Sequence, residues 1–314
     1  MAPRVSFGVT PIQTGVDFDH IREVAVRAEE LGFDSVWLND HFFTSRLFHP
    51  LPPPTAPFYE SWVTLSALAA LTSRVRIGTL CSNVSFRNPA LLAKMAACLD
   101  VISGGRLELG LGAGWFEEEH TAYGFAFPDM AQRAQQLTEA VDIIKRMWVE
   151  ETVTFNGRHF RTDSAYCSPK PIQAPRPPIT IGARGSRTML RVAARCADRW
   201  NIQTPISPAQ YRRKLGFLER HCEEAGRDPG EIGRSLWAGT VIGRDSEDYA
   251  RAAEALQLPH AVYLDARIAG TPEECVRRIQ GFVDLGVTEF IHYFTHDELR
   301  SVELFATQVI PAFR

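Results

Sequence analysis

The chain has no surplus of charge of either sign, no long apolar run and no paired cysteine motif. Each absence removes a class of protein. A formal charge of −3 over 314 residues gives no reason to expect nucleic acid or an anionic membrane as a partner. No apolar stretch is long enough to span a bilayer. The opening MAPRVSFGVTP lacks a basic segment followed by an apolar core, so no secretory leader is expected. The six cysteines, at 81, 98, 167, 196, 222 and 275, form no CxxC pair, and several lie in apolar periodic segments. They read as reduced thiols of a cytoplasmic protein. HExxH and GxSxG are also missing. His292 and His296 are four apart, but a strand-to-loop setting does not bring both rings to one face, so no metal site is expected.

What is present is the alternation of an α/β protein. The stretch Asn88–His120 shows the unit best. Asn88 suits a helix N-cap and Pro89 the first helical position. Leu91, Leu92, Met95, Cys98 and Leu99 recur at helical spacing, and Ser103-Gly104-Gly105 ends the helix. Leu107–Leu111 then reads as a strand buried within a sheet, and it empties into Gly110-Leu111-Gly112-Ala113-Gly114. Phe116 stands where the third glycine of a dinucleotide fingerprint belongs, so the glycines read either as a plain turn or as a backbone surface for a flat or anionic ligand.

The same reading places strands at Val5–Val9, Ser35–Leu38, Val75–Leu80, Ile179–Ile181, Trp200–Ile202, Leu236–Val241 and Val287–Phe294. Helices lie between them, several ending in glycine. Eight strands alternating with helices over 314 residues predict a single (β/α)8 TIM barrel spanning residues 1–314, with an open doubly wound sheet as runner-up. Residues 151–178 look like an insertion: a hairpin turning at Asn156-Gly157, then a proline-rich connector. A second proline-rich loop, Phe42–Glu60, is long enough to wall a site.

Active sites of such barrels lie in the loops after the strands. Asp40-His41 follows the second strand, where a histidine beside a carboxylate suits acid–base work. Cys81–Arg87 follows the third and reads equally well as a connector. Gly182–Thr188 opens a helix, and its free amides, with Arg184, Ser186, Arg187 and Thr188, suit a phosphate. Glu117-Glu118-Glu119 reads as a solvated first helical turn.

WLNDH at 37–41, SRVRIG at 73–78, residues 87–120 and AYCSPKPIQAPRPPITIG at 165–182 resemble the bacterial luciferase-like superfamily. Within it they are most similar to the actinobacterial branch of probable oxidoreductases using the deazaflavin coenzyme F420. The resemblance implies the barrel, a cofactor across the carboxyl ends of the strands, and a homodimer. It implies cofactor contacts at Asp40, Leu80, Cys81, Asn83, Ala113, Gly114, Gly185, Ser186, Thr188 and Met189, and a non-proline cis peptide at Leu80-Cys81. His41 matches the acid–base histidine of deazaflavin dehydrogenases. The sugar-phosphate dehydrogenases of the group carry tryptophan and glutamate where this chain has Ser45 and Trp115. The expectation is therefore hydride transfer between F420 and a small, partly apolar substrate. An FMN-dependent monooxygenase and a non-catalytic flavin-binding barrel are the alternatives.

Overall fold

The structure, a computed structural model, describes residues 4–44, 52–185, 187–256 and 267–314. In chain order its strands are β1 (Ser6–Val9), β2 (Ser35–Leu38), β3 (Arg76–Asn83), β4 (Leu107–Gly112), β5 (Thr152–Asn156), β6 (Arg161–Tyr166), β7 (Ile179–Gly182), β8 (Arg199–Gln203), β9 (Gly233–Ile242), β10 (Ile268–Gly270) and β11 (Glu289–Phe294). The helices are α1 (Phe18–Glu30), α2 (Ser61–Leu71), α3 (Pro89–Ile102), α4 (Glu117–Ala122), α5 (Met130–Val149), α6 (Arg187–Cys196), α7 (Pro208–Ala225), α8 (Ser246–Ala255), α9 (Pro272–Val283) and α10 (Glu298–Gln308). β1, β2, β3, β4, β7, β8, β9 and β11 pair in parallel round a closed ring, and β11 returns to β1. Short β10 adds to the end of β9. The eight strands expected from the sequence are the eight of this ring.

Helix ends follow the local chemistry. Asn88 caps α3 by accepting from the Ala90 amide at 2.9 Å, with Pro89 first in the helix. Gly104 and Gly105 leave it with φ of +68° and +84°, values only glycine takes at little cost. Thr271 and Glu274 form a reciprocal capping box on α9, satisfying two orphan amides at once.

The insertion is a hairpin of β5 and β6, but its turn differs from the two-residue Asn-Gly turn expected. Asn156 pairs with Arg161, leaving a four-residue loop. The amides of Arg158, His159 and Phe160 all donate to the Glu139 carboxylate of α5, at 2.9, 2.9 and 3.0 Å. A carboxylate from another element collects three donors, which a tight local turn would not present to it.

Side chains alternate across the barrel wall. Outward-facing Phe7, Val36, Ile77, Leu109, Ile181, Trp200, Leu236 and Phe290 join the helices in the main core. The inner face is polar at one end and apolar above it. At the strand starts Arg76, Glu108, Arg199 and Glu289 interlock. Higher up, Trp37, Leu80 and Ile291 form a separate apolar plug below the mouth.

One outward residue makes a prediction. His292 is wholly buried among Phe7, Phe290, Phe294 and Phe305. Its Nδ1 lies 2.8 Å from Thr240 Oγ1, and its Nε2 has no partner among the described residues. Burial pushes the imidazole down from 6.5 to about 3. The folded state keeps it neutral while the unfolded state protonates it, so its contribution is full above 6.5 and is lost as pH falls toward about 3. The loss reaches about 5 kcal/mol at the acid end. His292→Leu is expected to flatten the decline in urea stability between pH 6.5 and pH 4; an unchanged decline would assign acid lability to other groups.

Candidate active site

The carboxyl ends of β2, β3, β4 and β7 meet at one mouth, and the chain leaves each of them with polar or glycine residues. His41 follows β2. Its Nδ1 lies 3.0 Å from Oε2 of Glu119 on α4, whose carboxylate is 1% exposed. The other oxygen of Glu119 accepts from the Phe42 amide at 2.5 Å. A carboxylate accepts, so Nδ1 is the donor of this pair and Nε2 is the ring nitrogen left for other partners. Trp115 and Phe116 pack edge-on against the imidazole at 5.6 and 6.2 Å between centroids.

Glu119 is the partner of His41 that reading the sequence missed. Glu117 and Glu118 are exposed, as a first helical turn should be, but Glu119 and His120 are buried. They stand three and four positions after buried Phe116, which is the helical spacing of one face. That spacing was the available signal.

Asp40 is held by the scaffold around it. Its carboxylate accepts from Arg87 at 2.6 and 3.1 Å, from Ser61 Oγ at 2.7 Å and from the Asn83 amide at 3.1 Å. Arg87 also pairs with Glu60, the N-cap of α2. This network ties the loop after β2, the end of β3 and the start of α2 together. Asn83 is likewise engaged: Nδ2 faces His120 Nε2 at 3.1 Å, and Oδ1 accepts from the Ser85 amide at 3.0 Å. His120 in turn meets the Phe116 carbonyl through Nδ1 at 2.9 Å.

Backbone makes the floor of the mouth. β3 runs on to Asn83, so Cys81–Asn83 belong to the strand rather than to a loop, and the Leu80-Cys81 peptide is cis. Leu80 is buried in the plug, and Ala113 is 5% exposed. Gly114 takes φ +75°, and a Cβ there would lie 2.6 Å from Asn83 Nδ2; one on Gly182 would meet Cys81 Sγ at 2.7 Å. These glycines let two strand ends close up into a surface of peptide groups. Burial pushes the Cys81 thiol up to about 12, so it stays protonated and is no nucleophile.

The second expected cradle lies at the start of α6. Gly185 is exposed with φ +135°, Thr188 is exposed, and Met189 is buried, only 6% exposed. Ser186, with Ser45 and Phe48 of the long loop, lies outside the described residues.

Barrel and mouth together define a (β/α)8 protein built to hold a flat ligand at the carboxyl ends of its strands. A family model described as luciferase-like monooxygenase matches residues 5–264, and the chain belongs to that family. It is 31% identical over 323 residues to the F420-dependent glucose-6-phosphate dehydrogenase of Kineococcus radiotolerans, covering 94% of this chain and 93% of that protein. It is 29% identical to the F420-dependent hydroxymycolic acid dehydrogenase of Mycobacterium tuberculosis, covering 94% and 85%. Its fold matches an F420-dependent secondary alcohol dehydrogenase, in complex with an F420-acetone adduct, with a TM-score of 0.84 at 24% identity, over 99% of each chain.

Proposed function

We propose that this protein is an oxidoreductase that moves a hydride between coenzyme F420 and a small, partly apolar organic substrate. The observation that carries the reading is the His41–Glu119 pair beside a floor of backbone, at the mouth of a barrel whose relatives are named as F420-dependent. Bound F420 supplies the ring carbon that gives or takes the hydride. Leu80-Cys81, Ala113 and Gly114 would hold its ring, and Gly185, Ser186 and Thr188 its phosphate. His41 takes the substrate hydroxyl proton on Nε2 during oxidation and returns it during reduction. Glu119 holds that tautomer and steadies the imidazolium that forms.

Aromatic side chains support the apolar part of the substrate. Phe42 stacks on Tyr123 at 4.3 Å and lies 4.6 Å from Phe86. Trp115 is 49% exposed beside His41. Such a wall favours alkyl or aryl groups over a sugar phosphate.

Six free thiols suit a reducing cytoplasm. Among the described residues no helix is long and apolar enough to cross a membrane. A homodimer is supported by α2 and α3. α2 has no charged residue and exposes Val63 and Leu71, while α3 exposes Leu91 and Ile102. A helix apolar on all sides requires cover, and sedimentation velocity measures whether a second copy supplies it.

The test of function is titration with F420 and with FMN, followed by anaerobic hydride transfer to aldehydes and ketones. F420 binding with turnover is the expected result. Tight FMN binding with oxygen uptake and no affinity for F420 would overturn it, and binding without turnover would make this a non-catalytic barrel.

A further inference from the structure

Resting on the hydride-transfer reading, we infer that His120 is a positioning residue: through Asn83 it sets the short helix α4 so that Glu119 meets the acid–base His41. His120 follows Glu119 in the chain and acts through it, with no contact of its own to His41.

Two backbone groups fix the direction of every bond involved. The Ser85 amide donates, and it lies 3.0 Å from Asn83 Oδ1, so the oxygen of the Asn83 amide is on that side. Nδ2 therefore faces His120 Nε2, at 3.1 Å. The Phe116 carbonyl accepts, and it lies 2.9 Å from His120 Nδ1, so Nδ1 carries the proton. Nε2 of the neutral ring then accepts from Asn83 Nδ2. One directed chain thus runs from the backbone after β3 to the backbone after β4. A second proton on His120 would set N–H against NH2. Turning the Asn83 amide over to meet it would set NH2 against the Ser85 N–H instead. The chain forms with a neutral His120 and in one sense.

This chain closes a circuit with the His41–Glu119 pair. The Asn83 amide donates to the Asp40 carboxylate at 3.1 Å, and Asp40 precedes His41. His41 Nδ1 donates to Glu119 at 3.0 Å, and Glu119 precedes His120. The helix between them, Glu117–Ala122, has six residues, and its N-cap Phe116 makes no side-chain cap bond. A helix so short has little hydrogen bonding of its own to hold it. Its two buried polar side chains hold it instead: Glu119 reaches the end of β2 and His120 the end of β3. His120 is wholly buried, with the Phe86 and Phe127 rings 4.9 and 4.7 Å from its own. Both of its nitrogens belong to the chain, so the ring fixes α4 by direction as well as by packing.

The experiment joins kinetics to NMR of isotope-labelled histidines in the full chain. His120→Phe keeps the ring contacts and removes both hydrogen bonds. It is expected to lower kcat for F420-dependent hydride transfer about tenfold, with KM, F420 affinity and circular dichroism held. His120→Gln, whose Oε1 accepts from Asn83 Nδ2, is expected to recover most of that rate. Added to Glu119→Gln, His120→Phe is expected to cost less than about twofold more, because a residue acting through Glu119 then has nothing to position. With signals assigned from His41→Asn and His120→Gln, wild type is expected to show a proton on Nδ1 of His41 and of His120. The His41 proton is expected to move upfield in His120→Phe as its bond to Glu119 loosens. Losses that multiply in the double variant, or an unmoved His41 signal, would overturn the role and leave His120 as packing. A proton on Nε2 of His120 in wild type would reverse the chain and overturn the proposal even where His120→Phe does not fold. Wild type inert toward F420 would overturn the functional reading and this role with it, and the histidine signals tell that outcome from a broken chain.

Discussion

His41→Asn is expected to lower kcat by about 10²–10⁴-fold, the range for removal of a positioned general acid–base group, with little change in F420 affinity. Glu119→Gln tests the pair more sharply. Oε1 of Glu119 accepts from the Phe42 amide, so a glutamine keeps its oxygen there and turns its NH2 toward His41 Nδ1. Nδ1 then becomes an acceptor, the proton moves to Nε2, and the lone pair needed for oxidation is lost. The expected result is a fall in kcat of about tenfold or more, with KM and F420 affinity held, because the interaction matters most as charge develops on the imidazole. Glu119→Asp, which keeps the acceptor, should recover part of the rate. Stopped-flow hydride transfer measures the step itself. A Glu119→Gln enzyme at wild-type rate would reduce the pair to a structural clasp, and a His41→Asn enzyme at wild-type rate would move the acid–base role elsewhere.

The pattern of strands was legible because a barrel wall imposes a strong local demand. Each strand must bury its outward side chains under helices, so short apolar runs such as Leu107–Leu111 and Ile179–Ile181 stand out between amphipathic helices. Helix ends were legible for the same reason: Asn88-Pro89 and Thr271-Pro272-Glu273-Glu274 are self-contained devices. His41 could be picked out because it follows a strand directly. Glu119 could not be weighed in the same way, since its partner lies 78 positions earlier in the chain. A glutamate in a first helical turn is ordinary until the fold supplies a histidine above it.

The hairpin turn and Asp40 repeat the point. Asn156-Gly157 favours a tight turn locally, but the decisive group is Glu139, on another element. Asp40 meets Arg87, Ser61 and the Asn83 amide, partners that only the packed barrel brings together.

Arg199→Met is expected to be the most destabilising single change inside the barrel, at about 3–5 kcal/mol, the usual cost of leaving a buried charge without its partner. Arg199 Nη1 lies 2.9 Å from Glu108 and Nε lies 3.4 Å from Glu289, with both carboxylates almost fully buried. Arg76 still holds Glu108 when Arg199 is removed, but Glu289 loses its nearest cation. Burial already pushes Glu289 up to about 6 against the pull of Arg199. The folded state therefore binds this proton more tightly than the unfolded state, so Glu289 works against stability above about pH 6, and the penalty fades as pH falls toward 4.5. Without Arg199 the carboxyl must rise further. The gap between wild type and Arg199→Met should thus be largest near pH 8 and narrow toward pH 5. Glu289→Gln removes the charge instead of its partner, and it should cost less than about 1.5 kcal/mol, since a neutral amide in the same space leaves no buried charge. Combined with Arg199→Met it should return part of the lost stability, a coupling a double-mutant cycle isolates. Urea denaturation of the four proteins at both pH values measures all of this. Equal costs for the two single variants at pH 8, or a gap that widens toward pH 5, would show that packing rather than charge holds the floor of the barrel together.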